Sequence, residues 1–153
     1  MGTVPVFVGL GGNQPSTDDA FRRARQNLDK QFGTIQTSSL LTTEPHATDA
    51  EGPFLNQVIE FRVPSPNPED ILQSLLSLEN TIGRKRNGTP DRLIDLDLLY
   101  VGQTVVRSME LRVPHPRIHR RSFVLRSMVE RAPHFVHPVL RRTQRQLLDR
   151  IRF

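Results

Sequence analysis

Hydrophobic positions along this chain recur with two different periods, and the places where one period yields to the other outline its elements. Pro5 to Gly9 is a short apolar run of strand character, and the stretch Gly9-Leu10-Gly11-Gly12-Asn13 after it reads as a turn. Phe21, Ala24, Leu28 and Phe32 then return at helical spacing behind Thr17 or Asp18 as the capping residue, with Gly33 closing the helix. Ile35 to Thr43 is rich in strand formers. A polar loop from Glu44 to Pro53 leads into a second extended run, Phe54 to Val63, which stops at Pro64, Pro66 and Pro68. Asn67-Pro68-Glu69 combines a capping side chain, a proline at the first helical position and an early carboxylate, so it predicts a helix that runs to Ile82 and ends at Gly83. After the polar stretch Arg84 to Arg92 come a strand from Leu93 to Val101 and a turn at Gly102. A proline-rich loop around Pro114 and Pro116, a helix near Phe123 to Arg131 and an amphipathic helix from about Thr143 to Ile151 complete the order.

The order β-α-β-β-α-β followed by helices predicts an α+β fold, a ferredoxin-like antiparallel sheet with additional C-terminal helices. At 153 residues, and without a linker long enough to divide them, residues 1–153 are expected to form a single domain around one core. Met1 to Gly12 lacks the basic start and long apolar centre of a secretory signal, and no segment reaches membrane-spanning length, so a cytoplasmic protein with no membrane partner is expected. The absence of cysteine excludes disulfides, thiolate metal sites and cysteine nucleophiles. The formal charge is +5, and Lys30 and Lys85 are the only lysines. Arginine presents a rigid fork suited to phosphate oxygens, so an anionic partner is indicated, a nucleotide or a nucleic acid.

Candidate chemistry concentrates in Leu93 to Val101. Alternate residues of a strand share a face, so Asp95 and Asp97 point the same way with Cβ atoms about 7 Å apart, while Ile94, Leu96 and Leu98 line the buried face. Parallel carboxylates repel unless a cation lies between them, and the hard cation that also binds ATP phosphates is magnesium. Arg84, Arg86 and Arg92 stand just upstream, where guanidinium groups can meet metal-bound phosphates. Glu79 shares the apolar face of its helix with Leu72 and Leu75 and needs a partner there, either an arginine or the site itself. His115 is stiffened by Pro114 and Pro116 and followed by Arg117, Arg120 and Arg121, a setting suited to holding phosphate.

Four ordered blocks carry a family resemblance: Val8 to Asn13; Thr43-Glu44-Pro45 with Phe54-Leu55-Asn56; Gly83 to Arg86 with Arg92 to Asp97; and Val113 to Arg117 with Phe123-Val124-Leu125. Over nearly its whole length the chain resembles the 6-hydroxymethyl-7,8-dihydropterin pyrophosphokinase family. The resemblance implies transfer of diphosphate from ATP to 6-hydroxymethyl-7,8-dihydropterin in folate biosynthesis, by a monomer. Asp95 and Asp97 then look like ligands of two magnesium ions, and Arg84, Arg92, His115 and Arg121, with Glu79, like the ATP ligands. Arg86 is similar to a mobile-loop arginine. Arg84, Arg86, Arg92, Asp95 and Asp97 make up the expected catalytic set. Phe54 and Phe123 look like rings that sandwich the pterin, and Thr43, His46, Asn56 and Asp95 like its polar neighbours. Asn87 to Arg92 lacks the tryptophan common in that loop, and His46 to Glu51 lacks a common glycine. The rival expectations are a basic ferredoxin-like nucleic-acid-binding module, for which the aromatic-rich strand is missing, and an inactive nucleotide-binding relative.

Overall fold

The computed structural model describes residues 2–44, 53–83 and 93–151. Its main sheet is antiparallel throughout. β1 (Val4–Gly12) lies between β4 (Phe54–Val63) and β5 (Asp95–Val101), and the short strands β2 (Gln36–Thr37) and β3 (Leu41–Thr43) both pair with the far side of β4. A separate hairpin joins β6 (Val106–Arg107) to β7 (Arg112–Val113). The helices are α1 (Thr17–Phe32), α2 (Pro68–Ile82), α3 (Ser122–Arg131) and α4 (Gln144–Arg150).

Local chemistry accounts for the helix ends. The Asn67 side chain accepts from the backbone N–H groups of Glu69 and Asp70 at 3.0 and 3.3 Å, and Gly83 closes α2 at φ 108°. Thr143 and Gln146 form a reciprocal capping box on α4. On α1 the N-cap is Ser16, not Thr17 or Asp18, and its side chain makes no capping bond. Thr17 instead donates its hydroxyl proton to the Leu93 carbonyl at 2.8 Å, having turned its side chain toward the sheet.

The single expected core is divided in two by the sheet. On one face Val6, Val8 and Leu10 pack with Phe21, Ala24 and Leu28 of α1 and with Ile71, Leu75 and Ile82 of α2. On the other, Phe7, Val58, Leu99 and Tyr100 pack with Leu125 and Met128 of α3 and Leu147 of α4. Each fully buried Leu or Phe contributes about 2 kcal/mol, so both helix pairs are firmly held. A register shift between Phe7 and Val8 lets Leu99 and Tyr100 of β5 both serve the second face, where strict alternation would have sent Tyr100 back to the first.

Gly9 to Gly12 corrects the expected turn. The segment continues β1 to its end, and none of its glycines has positive φ. Their reason is space. A Cβ on Gly12 would lie 2.4 Å from the Leu93 carbonyl oxygen, so only glycine allows β1 to pass the entry of β5. Among the described residues no helix is long and apolar enough to cross a membrane.

Candidate active site

The register of three strands builds the floor of a cleft of about 550 Å³. Gly11 pairs with Asp95 on one side and Asn56 on the other, and Gly9 with Asp97 and Val58. All six sit on the face carrying α3, because each strand contributes alternate positions. The glycines therefore leave an open strip two residues long between the carboxylates and Asn56. A Cβ at Gly11 would meet only the Asn56 Oδ1, at 3.8 Å.

Around this floor the cleft is lined by Thr43, by the Phe54 and Phe123 rings, by Arg117, Arg120 and Arg121 just ahead of α3, and by Ser122 at its start. Asn56, 8% exposed, donates through Nδ2 to the Thr43 hydroxyl at 3.0 Å and the Leu41 carbonyl at 3.3 Å. Those bonds fix the amide and turn Oδ1 toward the strip beside Gly11. The cleft thus offers, within one cavity, two aromatic walls, a fixed amide acceptor, a carboxylate pair and a bank of arginines. A flat heteroaromatic ring with an amino edge and an attached anionic group matches that inventory.

Of the residues singled out from the sequence, the structure brings together Thr43, Phe54, Asn56, Asp95, Asp97, Arg121 and Phe123. His115 borders a neighbouring cavity of about 570 Å³ with Arg112, His119 and His137. Its backbone N–H donates to the Leu99 carbonyl at 2.9 Å, tying this loop to β5, and its Nδ1 accepts from the Arg117 N–H at 3.2 Å. Burial, with the Arg121 and Arg117 guanidinium groups nearby, pushes His115 down to about 4, so at neutral pH the ring is uncharged. With Nδ1 accepting, Nε2 carries the remaining proton and is a donor. Glu79 does not line the cleft. It is 3% exposed and accepts from the Leu96 N–H at 2.6 Å, behind β5. His46, Arg84, Arg86 and Arg92 lie outside the described residues.

Sequence reasoning missed Gly9, Gly11 and Ser122 as parts of the cleft, and had Arg117 and Arg120 only as a basic stretch behind His115 suited to phosphate. For the glycines a signal existed, since Gly9-x-Gly11 has the same period as Asp95-x-Asp97; the reading as a turn concealed it. Among the described residues no group of three or more His, Cys, Asp or Glu is arranged to hold a metal. Two carboxylates on one strand are nonetheless a donor set that suits magnesium, which is commonly bound by one or two carboxylates with substrate phosphates completing the shell.

Comparison with known proteins follows the same lines. The family model described as 7,8-dihydro-6-hydroxymethylpterin-pyrophosphokinase (HPPK) matches residues 7–133. A 2-amino-4-hydroxy-6-hydroxymethyldihydropteridine pyrophosphokinase of Porphyromonas gingivalis is 35% identical over 139 residues, covering 87% of this chain and 93% of the relative. Its counterpart from Aquifex aeolicus is 29% identical over 138 residues, 90% of this chain and 86% of the other. Among solved structures, the wild-type HPPK-DHPS of Plasmodium falciparum superposes with a TM-score of 0.79 at 14% identity, over 97% of this chain and 44% of that one; the latter share means that this chain spans less than half of that protein.

Proposed function

The chain belongs to the 7,8-dihydro-6-hydroxymethylpterin-pyrophosphokinase family, and from that premise we propose that it moves the β,γ-diphosphate of ATP onto 6-hydroxymethyl-7,8-dihydropterin with the help of magnesium, a step of folate biosynthesis. The observation that carries this reading is the joining, in one cleft, of Asn56, Phe54 and Phe123 to Asp95 and Asp97 across the two-glycine strip. The strand order, with β1 and β4 central and every pairing antiparallel, supports the ferredoxin-like description of the sheet. The same reading takes residues 1–153 as one domain acting as a cytoplasmic monomer.

In this mechanism the pterin lies between Phe54 and Phe123, its amino edge on Asn56 Oδ1. The 6-hydroxymethyl oxygen then faces the carboxylate side of the floor. That oxygen bonds to the β-phosphorus as the bond from β-phosphorus to the α,β-bridging oxygen breaks; AMP leaves with the bridging oxygen and its electron pair, and the hydroxyl proton passes to solvent. Asp95 and Asp97 would hold the two magnesium ions, which neutralise phosphate charge when bound. Arg121, and Arg84, Arg86 and Arg92 by the family resemblance, meet the phosphate oxygens, while neutral His115 offers Nε2–H to another. The protein's own contribution is positioning and a prearranged field.

The nucleic-acid-binding alternative is not favoured, because helices cover both faces of the sheet on which bases would stack. The test is to incubate the protein with ATP, magnesium and the dihydropterin and to resolve the nucleotides. AMP formed only when the pterin is present is the expected result; ADP would exclude diphosphate transfer.

A further inference from the structure

Two buried polar side chains reach the backbone of the acidic strand from the face opposite the cleft. Thr17 of α1 and Glu79 of α2 are each 3% exposed. The Thr17 hydroxyl donates to the Leu93 carbonyl at 2.8 Å, and the Glu79 carboxylate accepts from the Leu96 N–H at 2.6 Å. The two bonds bracket Asp95, and Leu96 lies between the two carboxylates. Among the described residues β5 is the last strand of the sheet, and the Leu96 N–H, directed to Glu79, has no ladder partner there. Burying a carboxylate is costly unless it is well bonded, and a hydrophobic residue at position 79 would continue the apolar stripe of Ile71, Leu75, Leu78 and Ile82. Packing alone gives no reason for the acid. Its bond to Leu96 does.

We infer that Glu79 and Thr17 are positioning residues which fix the height and twist of β5, so that Asp95 and Asp97 meet magnesium-bound nucleotide in a preset geometry. The inference rests on the pyrophosphokinase reading for its ligand. In it Glu79 acts through the backbone and touches no substrate. Gln at 79 keeps an acceptor for Leu96 N–H and therefore preserves the geometry; Ala at 79 and Val at 17 remove one support each.

The experiment measures binding of Mg²⁺ with α,β-methylene-ATP by calorimetry, and amide exchange at Leu96 by NMR, in the whole chain and in E79A, E79Q and T17V. For E79A the Mg²⁺-dependent dissociation constant rises about 10-fold and Leu96 exchanges about 10-fold faster, the size of effect typical when a supporting partner of a metal ligand is lost. E79Q stays within about threefold of the parent, and T17V falls between them. A merely structural Glu79 would lower the melting temperature of E79A and leave the Mg²⁺ dependence of the folded fraction unchanged, which overturns the inference. Equal losses in E79Q and E79A would overturn it too, since charge and not the bond would then be responsible. If E79A does not fold, E79Q and T17V decide, and unchanged Mg²⁺ dependence in T17V counts against it. A parent protein that binds Mg²⁺ and nucleotide but yields no pterin-dependent AMP would refute the functional reading and leave these binding measurements to judge the strand.

Discussion

β1 and β5 lie side by side and, between Gly9 and Gly11, point alternate residues into the same cleft, yet they serve it in opposite ways. β5 supplies Asp95 and Asp97; opposite them β1 supplies Gly9 and Gly11, two positions with no side chain at all. One strand contributes charge and the other contributes room. A site for a flat ligand joined to a polyphosphate needs both, since a carboxylate pair is useful only if the ring can lie close enough to bring its hydroxymethyl arm to the metal-bound phosphates.

The comparison breaks most sharply at the charged strand. Asp97→Ala is expected to lower kcat on the order of 100- to 1,000-fold with the melting temperature essentially unchanged, because a half-exposed carboxylate supports metal-bound phosphate and not the core; activity near that of the parent would remove Asp97 from the site. On the glycine strand the position decides what fails. Gly12→Ala would push a Cβ against the Leu93 carbonyl oxygen and is expected to destabilise the fold by about 1–3 kcal/mol, read from denaturant unfolding. Gly11→Ala has room for its methyl and negative φ, so it folds normally but raises KM for the pterin roughly 10-fold, as one intruding carbon does in a fitted pocket. If Gly11→Ala left KM unchanged, the open strip would have no role in ligand fit.

A smaller effect belongs to two buried histidines, His115 in the loop tied to β5 and His137 ahead of α4. His115 and His137 are both held at about 4, His115 by burial and two arginines and His137 by burial and the nearby His119, against an ordinary 6.5. Between those values the unfolded chain takes up protons that the folded chain refuses. The stability these rings supply is therefore complete above about pH 6.5 and is lost as pH falls toward 4. A melting midpoint that declines from pH 7 to 4.5, with a shallower decline in His137→Asn, is expected; equal slopes in the two proteins would contradict it.

Much of this is legible in the sequence. Asn67-Pro68-Glu69 and Gly83 marked both ends of α2, and alternation sent Ile94, Leu96 and Leu98 to the face opposite the aspartates, where they pack with α1 and α2. Phe54, Asn56, Phe123 and the two aspartates, singled out from the sequence, line one cleft. What alternation could not convey was the bulge that sends Leu99 and Tyr100 to one face, since it depends on pairing with β1. The β6/β7 hairpin escaped because two-residue strands carry too few positions for a period. Gly9 to Gly12 misled for a physical reason: glycine marks both tight turns and close backbone approach, and only the neighbour across the ladder distinguishes them. Glu79 was read as needing a partner in the site or an arginine; that it would bond a backbone N–H of a distant strand could not be told from helical spacing.

The bonds made by Glu79 and His115 have a second consequence, at the border of the molecule. A terminal strand of this length, with outward-facing N–H and C=O groups, is a template onto which a strand of another molecule can add. Here the Leu96 N–H is already engaged by a carboxylate and the Leu99 carbonyl by the His115 amide. An incoming chain would have to strip both away and leave an acid buried with its bond broken. The acidic strand can thus stand at the rim of the sheet, open to small ligands on one face, without inviting aggregation along its edge.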